Sequence, residues 1–174
     1  MLYDLIDPRL ILLYFLIFFP LEYLFPAHAE KRILRKGFLT DVMHYFFSGL
    51  LSKLGLFAVL LIPFTLGKTV VPSEFRLWVE NLPLWLQVLS ITVISDLGMY
   101  LSHRLMHTVP FLWKFHAIHH SSEQLDWLAA FRVHPVDQVI LKGTSLLPIF
   151  VMGFSSASIA IAGMIYNWQS LLIH

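Results

Sequence analysis

Leu84-Trp-Leu-Gln-Val-Leu-Ser-Ile-Thr-Val-Ile-Ser-Asp-Leu-Gly-Met-Tyr-Leu-Ser-His-Arg-Leu-Met-His107 is a largely apolar run that ends in two histidines four residues apart. About 20 apolar residues in helical form cross a hydrocarbon core of about 30 Å. A spanning segment must satisfy its backbone hydrogen bonds internally, so this run reads as a transmembrane helix. Asp96, Tyr100, His103 and His107 recur at i, i+4, i+7 and i+11 and form one stripe along it. An ionisable group at the depth of Asp96 costs roughly 2.5–3.5 kcal/mol on insertion scales and calls for a partner. The stripe supplies one, because a carboxylate behind a ligating imidazole fixes its tautomer and raises its basicity. Asp96 and Tyr100 are therefore expected to support His103 and His107 from behind, and Arg132 to play a similar supporting part.

Three further apolar stretches run from about Leu5 to Phe25, Val42 to Leu66 and Val139 to Ile173. The first two each fit one crossing. The last has 35 residues and is interrupted by Pro148 and by Gly153, Phe154, Ser155 and Ser156, so it reads as a helical hairpin turning near Gly153–Ser156. Small residues there, with Ser158 and Gly163 beyond, let membrane helices approach closely. A hairpin brings His174 back to the face that carries His103; a single tilted helix leaves it on the far side. The expected fold is all-α, a polytopic transmembrane helical protein forming a single membrane-embedded domain over residues 1–174. Composition agrees: apolar residues make up 57% and charged residues 13%, half of the roughly 25% charged in a globular domain. The N-terminus carries Asp4 and Asp7 where a signal peptide has basic residues, and no small-residue cleavage site follows, so the first stretch reads as a retained membrane segment.

Lys31, Arg32, Arg35 and Lys36 cluster between the first two stretches. Short basic loops stay cytoplasmic, which places the histidine-rich segment, two crossings later, on the cytoplasmic side as well. Tryptophans 78, 85, 113, 127 and 168 fall near span ends, where an interfacial aromatic belt belongs. No basic tract suited to nucleic acid is present, so no nucleic-acid partner is expected.

Six of the nine histidines lie between residues 103 and 134. His103 and His107 share a helix face and reach one ion; His116, His119 and His120, at i, i+3 and i+4, form a second such face. Five imidazolium charges so close would repel one another, so neutral ligands on a metal are the simpler solution. The chain has no cysteine, so any metal sits on nitrogen and oxygen. His134, between Arg132 and Pro135, serves either as a further ligand or as part of a structural turn. His28 and His44 read as packed or interfacial side chains.

The runs Asp96-Leu-Gly-Met-Tyr-Leu-Ser-His-Arg-Leu-Met-His107 and Leu112-Trp-Lys-Phe-His-Ala-Ile-His-His-Ser121, with Arg132-Val-His-Pro-Val-Asp137 after them, resemble the fatty acid hydroxylase/sterol desaturase superfamily. They look like its first two histidine boxes, HxxxH and HxxHH. The resemblance is close over about 94–138 and looser toward both ends. It implies a membrane-bound enzyme that uses two non-haem iron ions and O2 to hydroxylate or desaturate a lipid. It implies that His103, His107, His116, His119 and His120 are metal ligands, and that His174 matches an isolated histidine near the end of a later span. Members carry a last histidine box beyond that point. The 174 residues stop at His174, so a C-terminally incomplete domain is expected, a fragment or a truncation that does not turn over by itself. No haem, flavin or iron–sulfur motif is visible, so electrons are expected from an external donor protein. A membrane hydrolase on the same imidazoles would need a carboxylate general base inside a box, as in HExxH, and neither box has one. A transporter would place its ligands near the bilayer midplane on broken helices; these boxes sit at a span end and in a loop. A non-catalytic metal-binding membrane protein is the other alternative.

Overall fold

The computed structural model describes residues 8–25 and 35–172. Among them every regular element is helical: α1 (Pro8–Leu24), α2 (Phe38–Met43), a π-helical turn (His44–Ser48) leading into α3 (Gly49–Val70), α4 (Ser73–Glu80), α5 (Leu84–Thr108), α6 (Pro110–His116), two short 3-10 turns, α7 (Pro135–Met152) and α8 (Ser156–Leu172). Three helices are long and apolar enough to cross a membrane: Phe38–Leu61, Leu84–Thr108 and Pro135–Met152. The first apolar stretch contributes the shorter apolar helix Ile11–Leu24.

Helix α5 is the hub, packed by α7 and α8, while α3 packs on α7. Its outer face exposes Leu89, Val93, Leu97, Leu101 and Leu105 at four-residue spacing, a hydrocarbon ridge with nothing polar in it. Water penalises such a ridge and lipid does not. The inner face buries Ile91, Ser102 and Met106. Gly98 brings α5 against α7, since a Cβ there would lie 2.9 Å from the Ser145 Cα and 3.0 Å from the Thr144 carbonyl oxygen. Small residues at a crossing allow this backbone approach, which lipid-embedded helices use in place of a hydrophobic driving force.

The long fourth stretch divides at Gly153, where φ is +91° and Arg76 of α4 packs so closely that a side chain would collide with it. Pro148 does not break the chain as its sequence position suggests; it lies inside α7, as membrane helices tolerate when neighbouring groups re-satisfy the backbone. Gln87, buried at the start of α5, donates to the carbonyls of Glu80 and Leu82 and accepts from the Ser155 amide and the Ser158 hydroxyl. One amide thus ties the α4–α5 corner to the start of α8. Trp127 departs from the expected belt: it is buried beside Phe18 and Leu128, with its backbone amide donating to Glu22 of α1. Proximity to a span end in sequence did not make it interfacial, because α1 covers it.

Candidate metal centre

Val109 is extended, as a residue before proline prefers, and Pro110 opens α6 at its first position. The chain therefore stops α5 one residue after His107 and folds α6 back onto it, bringing His116 at the end of α6 to the end of α5. His103, His107, His116 and His120 each offer one ring nitrogen, and these four atoms lie within 4.8 Å of one another. The Nε2 atoms of His103 and His107 are 3.0 Å apart, and those of His116 and His120 are 3.1 Å apart. Neighbouring ligands on an octahedral ion with bonds of about 2.1 Å lie about 3.0 Å apart, so both pairs have the span of adjacent coordination positions.

His116 is at the centre and fully buried. Its ring centroid lies 4.6 Å from that of His103 and 4.8 Å from those of His107 and His120. Its Nδ1 meets Asp137 Oδ1 at 3.2 Å, which leaves Nε2 facing the cluster. Asp137 Oδ2 is also buried and has no hydrogen-bond partner among the described residues. Burial, followed by the neighbouring imidazoles, pushes His116 down to about 3, and the same two causes lower His120. These rings are neutral at physiological pH, the form that ligates a cation. Trp113 walls one side, with its ring 5.4 Å from His107 and 5.6 Å from His120. All-imidazole donors, a carboxylate behind one of them and an unsatisfied buried oxygen fit a divalent iron or zinc site.

His119 flanks the four rather than joining them. Helix α6 ends at His116, so His119 sits on a 3-10 turn instead of the same helical face. Its ring is 5.6 Å from His116 and 5.4 Å from His120, and its Nδ1 meets the Arg132 carbonyl at 3.3 Å. His134 caps α7: its Nδ1 accepts from the Val136 amide at 3.1 Å, and its ring packs on Phe115. Its structural reading, foreshadowed by Pro135, is the one the geometry displays. His44 bonds locally to Ser48 and to the Val133 carbonyl. Asp96 does not reach the cluster; it lines a small pocket with Thr92, Tyr166 and Gln169. Tyr100 is exposed and accepts from Arg104. The carboxylate behind an imidazole is Asp137, which the sequence had offered inside the Arg132–Asp137 motif. Asp137, buried in the first turn of the next span, calls for a partner as Asp96 does, though at a smaller insertion cost than at mid-span. Arg132 does support the loop, through Asp41 and the Gly37 carbonyl. His174 lies outside the described residues, as does His28.

The fatty acid hydroxylase family pattern matches residues 88–174, which contain every histidine of the cluster. The chain belongs to the fatty acid hydroxylase family. It is similar to an ornithine lipid hydroxylase from Rhizobium tropici, 28% identical over 110 residues, covering 63% of this chain and 33% of that protein. The chain thus spans about a third of the length of the curated relative it matches. No solved structure matches it. Within the fatty acid hydroxylase family, a four-histidine cluster at the end of an apolar helix is a suitable place for the iron such enzymes generally require.

Proposed function

We propose that the protein hydroxylates a membrane lipid with O2 at a pair of iron ions, drawing electrons from an external donor protein. The observation that carries this reading is the convergence of four imidazoles, one backed by Asp137, in a chain of the fatty acid hydroxylase family. His103, His107, His116 and His120 would hold metal; His119 and His174 are proposed to complete the second ion's shell. Iron bound there supplies activation of O2 toward an unactivated C–H bond, a task no side chain performs. Hydroxylation consumes one O2, two electrons and two protons, and yields the alcohol and one water. The chain's own residues do the rest: Asp137 holds the His116 tautomer, Trp113 screens the cluster, and the exposed apolar face of α5 admits lipid from the side.

The substrate in the relative's name, an ornithine lipid, supports a membrane lipid as substrate here. Cells expressing the full-length protein should gain lipids carrying one added oxygen under 18O2, labelled by one such atom, and should lack them without oxygen. Loss of two hydrogens instead would identify a desaturase, and identical aerobic and anaerobic profiles would reject lipid oxidation altogether.

The basic residues Arg35 and Lys36, with Lys31 and Arg32 before them, support a cytoplasmic position for the cluster. Gly153 and the small residues after it support a hairpin of α7 and α8. A cysteine at Ser121 should react with an impermeant reagent from the cytoplasmic side only; labelling from outside inverts the topology.

A further inference from the structure

Two cavities lie end to end between α3, α5, α7 and α8. The first is lined by His44, Tyr45, Gln138 and Ser170 near the Val133 loop. The second is lined by Leu56, Leu60, Ile91, Ile149, Phe150 and Ile159, with a volume of about 100 Å³, room for a run of methylenes rather than a single water. From the first cavity to the second, residue numbers rise along α3 and α7 and fall along α5 and α8, leading away from the loop beside the histidines. Ser52, Met99, Lys142, Tyr166 and Asn167 line both and so form the junction.

That junction is unusual for the interior of membrane helices. Lys142 lies seven residues into α7, about 10 Å below its start. No ion pair satisfies its ammonium among the described residues, and its charged neighbour is another cation, Lys53, close enough to repel it. Charges at such depth are costly and mark substrate or ion pathways. The Ser52 hydroxyl is buried, with the residue 4% exposed, and has no hydrogen-bond partner among the described residues. An ammonium, a hydroxyl, a phenol and a carboxamide therefore form a ring of donors where a polar vestibule meets an apolar cavity. An anion with an alkyl tail matches both halves at once.

We infer that this channel binds a single-chain anionic amphiphile, with its acid group at Lys142 and Ser52 and its hydrocarbon in the apolar cavity. The assignment rests on the lipid-hydroxylase reading and narrows it: the substrate bears a negative head group. Met99 places the junction one helical turn from His103 on the same face of α5, so a lipid held there lies beside the metal centre.

Binding of a spin-labelled fatty acid and of its methyl ester to the purified full-length protein in nanodiscs tests the inference. The wild type should prefer the acid at least tenfold, and Lys142→Met should abolish that preference while still binding the ester. Ser52→Ala should reduce it in part. Equal affinity of the wild type for acid and ester, or a preference that survives Lys142→Met, overturns the proposal. A long-chain alkyl phosphate that outcompetes the acid supports the same site with a phosphate head group; inorganic phosphate competing as well as the alkyl phosphate overturns the lipid assignment. The acid preference should persist after chelation, whereas oxygen insertion depends on metal. Selective binding by a protein that takes up no iron would therefore reject the hydroxylase reading and leave the anion site standing.

Discussion

Replacing His116 with alanine should lower bound iron to less than a tenth of the wild-type content and abolish lipid oxidation. His116 is the ring on which the others converge, with His103, His107 and His120 all within 5 Å of it by centroid. It is also the only one of the four whose second nitrogen meets a carboxylate among the described residues. The Asp137→Asn variant separates chemistry from folding, because it keeps the shape and removes the charge. Loss of a carboxylate behind a ligating histidine typically costs 10–100-fold in metal affinity or activity, so a weakened but not absent iron site is expected. Full occupancy in His116→Ala, read by elemental analysis of purified protein, would refute the centre. The same ring also sets an acid limit. Its folded pKa, lowered to about 3 by burial and by the adjacent imidazoles, lies below the unfolded value of about 6.5. The unfolded chain binds the proton first, so stability is fully present above about pH 6.5 and is lost as pH falls toward 3, on the order of 5 kcal/mol in all. Metal-free protein should melt at a lower temperature at pH 4 than at pH 7, and His116→Gln should shrink that difference.

The parts of this site that are legible in sequence are the pairs four residues apart. His103 with His107, and His116 with His120, are four residues apart, and each pair meets through its ring nitrogens at about that spacing's reach. Asp96 shares their stripe, yet lies seven residues from His103, about 10 Å along the axis, which a carboxylate cannot bridge. Periodicity names a face; it does not supply reach. The partnership of His116 with Asp137 spans 21 residues and exists only because α6 folds back beside the start of α7. His119 shows where helical spacing stops describing the chain. Its i+3 spacing is sound on a helix, but α6 ends at His116 and the ring turns to the Arg132 carbonyl. Lys142 and Ser52 become noticeable only when four helices enclose a common space around them.

Asp41→Ala should cost the fold about 3–5 kcal/mol, the usual penalty for removing one partner of a buried ion pair. Asp41 is fully buried and accepts from two guanidinium groups, Arg35 Nη2 at 2.6 Å and Arg132 Nε. Arg35 also grips Asp126 through two bonds of 2.7 and 2.6 Å. These four charges join the segment before α2 to the loop between the second histidine group and α7. Removing Asp41 leaves Arg132 buried without its carboxylate, and Arg132 carries the carbonyl that meets His119. The damage should therefore reach the metal centre: a lower melting temperature by roughly 10 °C, and weaker retention of iron against a chelator. Replacing Asp41 and Arg132 together with leucine and methionine tests whether charge or position matters. Buried pairs exchanged for apolar residues often lose little stability, so the double variant should recover much of the melting temperature. The backbone carbonyl at position 132 is kept, so iron retention should recover with it. A single Asp41→Ala variant that melts within 2 °C of the wild type, a margin of about 1 kcal/mol or less, would show that the network carries no weight.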